Sequence, residues 1–161
     1  MLRSSNIFLV TFLLVLCACD DVRFHCHHTL GGEWSYADTL LFACYGAGRG
    51  DKELSANVEL RCNSDYPYRE LWIALENVSQ EYSENLADTF SLPIYSMQGV
   101  PNGATAGLLR QLSIPVGNLD VPSNDTLLLR IYPIMNDDVL PGIYNVGIKL
   151  VGCGRHQYEE N

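Results

Sequence analysis

The sequence predicts an all-β protein, a single β-sandwich of about eight mostly antiparallel strands behind a lipoprotein signal peptide, with an Ig-like or jelly-roll-like arrangement. Short runs of alternating apolar and polar residues follow one another, and clusters of Gly, Pro, Asn and Asp separate them. No window has a convincing amphipathic helical period, and Val78–Leu86 or Ala104–Gln111 could form at most a short helix. Of the 161 residues, the 143 that would remain after removal of a signal peptide over residues 1–18 suit one domain with one core.

The first element along the chain has the features of a bacterial lipoprotein signal. Arg3 supplies a positive charge, and the apolar run Ile7–Leu16 is too short to span a bilayer. The sequence Leu16-Cys17-Ala18-Cys19 then places a small residue directly before a cysteine. We therefore predict a signal peptide over residues 1–18 and a lipidated Cys19, acylated by fatty acids such as palmitate, that begins an acidic tether over residues 19–21.

Eight candidate strands fill a predicted sandwich domain over residues 22–153, and a polar tail over residues 154–161 is expected to fray. The last strand is the clearest, because its apolar residues alternate with Asn145, Gly147 and Lys149. The strand before it looks more fully buried, and we expect these two strands to form a closing hairpin. The predicted strands are Val22–His28, Asp38–Tyr45, Leu54–Cys62, Glu70–Asn77, Asp88–Ser96, Leu108–Pro115, Asp125–Pro133 and Gly142–Val151.

Four cysteines remain after processing and lipidation, and export to an oxidising envelope permits two disulfides among them. Four cysteines allow three pairings, and the sequence does not choose among these. Strand alternation places Cys26, Cys44 and Cys62 toward one face, where plain buried thiols would also lie, so both interpretations stay open. Cys153 has the opposite phase to the apolar residues of the last strand, so a bridge from it would need a bulge or a turn.

The segment His25-Cys26-His27-His28 contains residue types that bind zinc and copper. In a strand, His25 and His27 point to one face while Cys26 and His28 point to the other, so the four side chains cannot converge on one ion. The chain also lacks a Gly-x-Ser-x-Gly elbow, a His-Glu-x-x-His pair, a Cys-x-x-Cys pair and a phosphate-binding glycine pattern. We therefore predict no metal site, no cofactor, no catalytic residues and no enzymatic activity.

The densest polar and aromatic stretch joins two predicted strands over residues 63–72. One interpretation is a structural turn, in which Asp and Asn cap backbone groups, Pro67 fixes φ and tyrosine hydroxyls pin a corner. The other is a binding loop, because rigid tyrosines and an arginine are favoured at interfaces. The residues of this candidate binding loop are Asp65, Tyr66, Tyr68 and Arg69.

The two tryptophans and the charge distribution bear on partners. Trp34 and Trp72 are both predicted to be core anchors. The formal net charge is −9, and the only lysines are Lys52 and Lys149. Because no basic stripe exists, nucleic acid is excluded as a partner, and attraction to anionic lipid adds nothing to the lipid anchor.

Several motifs occur in order along almost the whole predicted mature chain. They are the acidic start Cys19-Asp20-Asp21, Arg23-Phe24, Trp34 before Asp38-Thr39-Leu40, Leu60-Arg61-Cys62-Asn63-Ser64-Asp65-Tyr66-Pro67-Tyr68-Arg69-Glu70-Leu71-Trp72, and Leu140-Pro141-Gly142-Ile143-Tyr144-Asn145-Val146-Gly147-Ile148. Together these motifs resemble the gliding motility lipoprotein GldH family of Bacteroidota. The resemblance implies a protein held by lipid on Cys19 in the cell envelope, at the outer membrane, which binds other envelope proteins of a gliding or secretion assembly. The alternative is a surface glycan-binding lipoprotein, which an aromatic platform at Trp34 or Trp72 in solvent would favour.

Overall fold

The computed structural model describes residues 22–45, 53–78, 87–120 and 126–152. Within these ranges the chain forms nine strands and no helix, which confirms the all-β prediction. The predicted signal peptide, Cys19, the acidic tether, Cys153 and the polar tail lie outside the described residues. The strands are β1 Val22–Ser35, β2 Leu40–Cys44, β3 Glu53–Cys62, β4 Glu70–Asn77, β5 Ala87–Pro93, β6 Ala104–Ala106, β7 Leu109–Asp120, β8 Leu127–Pro133 and β9 Val139–Gly152.

The strands form two antiparallel sheets whose inner faces enclose the core. Sheet A has the order β1-β9-β3-β7-β6, and sheet B has the order β2-β8-β4-β5. Strand β3 shows why these sequences form half-buried strands, since every second residue from Leu54 to Cys62 is buried. Trp34 is fully buried, as predicted, and its indole N–H donates to the Asp38 carbonyl oxygen at 3.1 Å.

The predicted closing hairpin is wrong. Strand β8 pairs with β2 and β4 in sheet B, whereas β9 pairs with β1 and β3 in sheet A. The connection over residues 134–138 therefore crosses from one sheet to the other. Both strands carry a fully apolar inner row, and two such rows pack against each other from opposite layers of a sandwich.

Two other strand predictions differ from the structure for local reasons. Strand β1 continues to Ser35 because Gly31 and Gly32 adopt positive φ at register shifts, so this Gly-Gly pair bends the strand without ending it. The segment 104–111, compatible with a short helix in sequence, is instead a hairpin of β6 and β7. Gly107, with a φ of +66°, lies in its turn.

The prediction that Trp72 anchors the core is also wrong. Its side chain lies on the outer face of sheet B and is 43% exposed. The inner face of β4 carries Leu71, Ile73 and Leu75, which alternate with the outer row that contains Trp72. Cys44 and Cys62 are buried as expected of inward-facing positions, whereas Cys26 lies on the edge strand β1 and is exposed.

The topology gives the sandwich two different ends. At one end, called here the leader end, β1 starts at Val22 beside the last residues of β9 and the first residues of β3. The opposite end, called the loop end, holds every strand connection that the described ranges contain: 36–39, 63–69, 94–103, 107–108 and 134–138. At about 3.3 Å per residue, strands of the length of β1 separate the two ends by roughly 40 Å.

Candidate functional site

The connection 63–69 at the loop end is built on the side chain of Asn63. Its Oδ1 accepts from the Asp65 backbone N–H at 3.0 Å, and its Nδ2 donates to Asp65 Oδ2 at 2.7 Å. Its backbone N–H donates to the Gly142 carbonyl oxygen at 3.0 Å, which ties the turn to β9. This is the Asx-type capping that the structural interpretation of the segment predicted.

Gly142 is required by the close packing of that turn against β9. Its φ is +82°, and a Cβ built on it would lie 2.4 Å from the Tyr66 backbone nitrogen and 2.8 Å from Asn63 Oδ1. A glycine is the only residue that combines this backbone angle with this approach. The connection 63–69 is therefore held in place by its close packing against β9.

Tyr66 points inward and belongs to the core. It is only 1% exposed, and its hydroxyl donates to the Glu70 carbonyl oxygen at 2.9 Å. Burial, together with the neighbouring Tyr68, raises the pKa of this phenol above its ordinary value. Of the four predicted binding-loop residues, Tyr66 is therefore buried and cannot contact a partner. It stabilises the connection 63–69, which is the structural role that the sequence left open.

Tyr68 and Arg69 lie on the surface, each in a defined interaction. The Tyr68 hydroxyl donates to Asp137 Oδ2 in the connection 134–138, and this hydrogen bond raises the pKa of Tyr68. One Arg69 guanidinium nitrogen lies 2.5 Å from Glu70 Oε1, and the other contacts the Met97 sulfur at 2.8 Å. Two neighbouring connections are therefore fastened to the predicted binding loop through its exposed side chains.

Glu70 completes this polar cluster at the start of β4. Its second carboxylate oxygen accepts from the Ser91 hydroxyl at 2.9 Å. The hydrogen bond from Ser91, followed by the one from Arg69, lowers the pKa of Glu70. With both oxygens occupied by donors, this carboxylate is ionised and serves as a fixed anchor for the Arg69 side chain.

The same end of the molecule exposes large apolar side chains that the sequence analysis missed. Met97 is 81% exposed and Leu108 is 95% exposed. In all, six of the eleven large apolar or aromatic side chains found exposed among the described residues lie at the loop end: Tyr36, Tyr68, Met97, Val100, Leu108 and Val139. The available signal was the presence of single apolar residues inside segments rich in turn-forming residues.

The segment that presents Met97 and Val100 is internally hydrogen-bonded. The Ser96 backbone N–H donates to the Val100 carbonyl oxygen at 2.7 Å, and the Ser96 hydroxyl accepts from the Val100 N–H at 3.1 Å. The Asn102 side chain donates to the Pro93 carbonyl oxygen at 3.1 Å. Because the backbone of this turn is already ordered, a partner that covers Met97 and Val100 would remove little further backbone freedom.

The outer face of sheet A has a different character. His25 Nε2 lies 2.7 Å from Glu59 Oε2, Arg61 donates to Gln111 Oε1 at 3.2 Å, and Asn145 donates to the Thr29 hydroxyl at 3.0 Å. The first two pairs, together with His27, Asn145 and Gly147, line a depression with a volume of about 50 Å³. His25 and His27 share this face, as predicted, with ring centroids 6.3 Å apart.

Within the described residues, the structure contains no group of three or more His, Cys, Asp or Glu side chains arranged to hold a metal ion. His28 points to the other side of β1, toward Leu41 and Phe42, as the strand alternation predicted. Across the same part of the chain no helix is long and apolar enough to cross a membrane.

The sequence model of the GldH lipoprotein family matches residues 22–150, which is most of the chain and includes all five connections of the loop end. No curated protein matches the chain. The matched region begins at the first residue of β1 and ends within β9, so the family match and the sandwich coincide.

Proposed function

The chain belongs to the GldH lipoprotein family, and on this premise we propose that its loop end binds other proteins of a gliding or secretion assembly. A lipoprotein is held in the cell envelope by its lipid, and we place this one at the outer membrane. We further propose that the sandwich has no enzymatic activity and acts through contacts alone.

The observation that carries this proposal is the grouping of exposed apolar side chains on ordered turns at one end of the molecule. Monomeric proteins expose single apolar residues everywhere, but a group such as Met97, Val100 and Leu108 is typical of an interaction surface. Arg69 contacts Met97 and Tyr68 precedes it in the chain, and tyrosine and arginine are among the residues enriched in binding hot spots.

The position of the lipid supports the same assignment. The proposed attachment point, Cys19, lies three residues before Val22, so the tether spans roughly 10 Å at full extension. The leader end of the sandwich then lies close to the membrane, and the loop end lies roughly 40 Å farther away. A surface at that distance is free of lipid headgroups and open to soluble or membrane-embedded partners.

A test of the anchor compares Cys19→Ala with Cys17→Ala, which changes the neighbouring cysteine that leaves with the signal peptide. We expect Cys19→Ala to move the protein out of the membrane fraction and to abolish gliding or secretion, whereas Cys17→Ala keeps both. In-cell cross-linking of the wild type should capture components of the gliding or secretion machinery. A soluble Cys19→Ala protein that supports full function would contradict the proposal.

A second candidate function is glycan binding at the outer face of sheet B, and the exposed Trp72 side chain favours it. The same face carries Tyr132 and the pair Glu76–Arg130, in which Glu76 accepts from the Tyr132 hydroxyl at 2.6 Å and from Arg130 at 2.8 Å. An aromatic ring beside hydroxyl and carboxylate groups is suited to stack on a sugar and bond its hydroxyls.

The two candidates are separated by retention of purified protein on immobilised polysaccharide from the host envelope. Glycan binding predicts retention that Trp72→Ala removes and that Met97→Ser leaves intact. Protein binding at the loop end predicts no retention of either variant or of the wild type.

A further inference from the structure

The two edge strands β1 and β2 face each other along one side of the sandwich. The Nε2–H of His28 on β1 donates to the Leu41 carbonyl oxygen on β2 at 2.9 Å. The His28 ring also packs edge-on against the Phe42 ring, with centroids 4.8 Å apart. These two contacts join the edge of sheet A to the edge of sheet B, and they fix how β1 and β2 are aligned.

We call the line along which β1 and β2 face each other the seam. Beside the contact of His28 with Phe42, the same alignment places two cysteines along this seam. Strand β1 runs away from the leader end and β2 runs back toward it. Cys26 lies two residues before His28, and Cys44 lies two residues after Phe42, so each is displaced by one side-chain repeat toward the leader end. Because His28 meets Phe42, Cys26 lies opposite Cys44.

An electrostatic effect agrees with this placement. Burial raises the pKa of the Cys44 thiol to about 12, and the nearby Cys26 contributes to the rise. A Coulombic influence weakens with distance, so this contribution agrees with the placement that the strand alignment gives. In the structure both side chains are free thiols.

We propose that Cys26 and Cys44 form a disulfide that joins the two sheets once the protein has been exported to the cell envelope. This assigns one pairing among those that the sequence left open. The bond closes the seam next to the contact of His28 with Phe42, and it is independent of any partner at the loop end.

Cys62 is excluded as a partner for either residue by its position. It is the last residue of β3 and lies at the loop end, whereas Cys44 ends β2 at the leader end. Cys26 is in register with Val58 across β9, two strands away and four residues before Cys62. That separation is roughly 16 Å, well beyond the distance of about 7 Å that limits disulfide formation.

The reaction needs an oxidant, which we take to be an envelope thiol oxidoreductase in its disulfide form. The exposed Cys26 thiolate attacks one sulfur of that disulfide and displaces the other as a thiolate, which gives a mixed disulfide. Cys44 then loses its proton, attacks Cys26 Sγ and expels the second oxidoreductase thiolate. Two protons and two electrons pass to the oxidant, which is left as a dithiol.

The direct test is mass spectrometry of full-length lipidated protein extracted from the envelope with an alkylating agent present. Trypsin leaves Cys26 and Cys44 together in one peptide, residues 24–49, and places Cys62 alone in residues 62–69. We expect the first peptide to be two hydrogen atoms lighter than its reduced form and unalkylated, while Cys62 is alkylated after denaturation. Cleavage after Glu33 should leave its two halves joined until reduction.

Alkylation of both Cys26 and Cys44 before reduction would overturn the proposal. A link from either residue to the peptide of Cys62 or to residues 150–155, which contain Cys153, would overturn it equally.

A second measurement tests whether the bond supports the fold. Cys26→Ser changes an exposed residue and leaves the core intact. For a closed loop of this length we expect Tm to fall by roughly 10 °C, and reductant should lower wild-type Tm by the same amount while leaving the variant unchanged. Equal Tm values for wild type and variant, with and without reductant, would contradict a structural disulfide.

Discussion

The outer face of sheet A and the loop end both pair their polar side chains, but the loop end also presents large apolar side chains to solvent. On the sheet face, polar side chains pair across neighbouring strands, as His25 does with Glu59 and Arg61 does with Gln111. At the loop end, hydrogen bonds hold the backbone in ordered turns while Met97 and Leu108 project into solvent. A surface that satisfies its own polar groups is suited to water, and one that presents fixed apolar groups is suited to a partner.

Gly147 shows how the sheet face achieves this pairing. It lies on β9 between His27 on β1 and Glu59 on β3, and its missing side chain leaves a gap. A Cβ there would come within 2.8 Å of the Cys26 carbonyl oxygen and 3.0 Å of His27 Cβ. The gap lets His25 reach Glu59 across β9.

The largest expected effect on stability comes from the glycine that supports the loop end. Gly142→Ala combines a strained φ with contacts to Tyr66 and Asn63, and it should lower the free energy of unfolding by roughly 4 kcal/mol. Gly31→Ala on β1 is the matched control, because Gly31 also has positive φ but has open space around it. It should cost about 1 kcal/mol. Equal losses in urea unfolding would show that the loop is not held by close packing.

The buried Tyr66 gives a smaller effect and a pH dependence. Tyr66→Phe removes the donor to the partly buried Glu70 carbonyl oxygen and should cost about 1 kcal/mol. Tyr68→Phe removes a surface hydrogen bond and should leave the urea midpoint unchanged. If the two variants were equally destabilised, the Tyr66 hydroxyl would not be the group that stabilises the connection 63–69.

Burial raises the pKa of Tyr66 above its ordinary value of 10, so the folded state keeps the phenol proton at a pH where the unfolded chain loses it. The resulting stability is fully present below pH 10 and is lost as pH rises through the raised pKa. Urea unfolding between pH 8 and pH 11, scanned at roughly half-unit steps, should therefore show a smaller alkaline loss for Tyr66→Phe than for wild type. An identical loss in both proteins would contradict the assignment.

A pair of surface changes tests the difference between the two regions with little effect on stability. Met97→Ser should leave the free energy of unfolding within about 0.5 kcal/mol of wild type, because the side chain is already exposed. It should nevertheless reduce the yield of cross-linked partner. Gln111→Ala, on the sheet A face, should change neither quantity. A lower yield of cross-linked partner with Gln111→Ala would show that the partner binds the outer face of sheet A.

The sequence predicted the strands well where alternation was regular and turn residues marked their ends. Strand β4 has the predicted bounds, and β3 differs by one residue. The orientation of β4 could also have been inferred, because Glu76 belongs to the same row as Trp72 and therefore marks that row as the outer one.

The division of the strands between two sheets could not be inferred from alternation. A period of two shows that a strand has a buried face but does not say which sheet provides the partner strands, so β8 and β9 looked like a hairpin. Only some of the exposed residues at the loop end could be predicted from the sequence. Asp65, Tyr68 and Arg69 were predicted from composition, whereas Met97, Val100 and Leu108 belong to the same end only because the topology places the connections 94–103 and 107–108 there.

Site-specific photo-cross-linking in cells is the most direct test of whether the loop end binds proteins of a gliding or secretion assembly. A photoreactive residue is placed at Met97 or Val100 on the loop end, at His27 or Thr29 on the outer face of sheet A, and at Tyr45, which is 75% exposed near the leader end. We expect gliding or secretion components to be captured from Met97 and Val100 and not from the other three positions. Capture of those components from sheet A or from Tyr45, with none from the loop end, would contradict it.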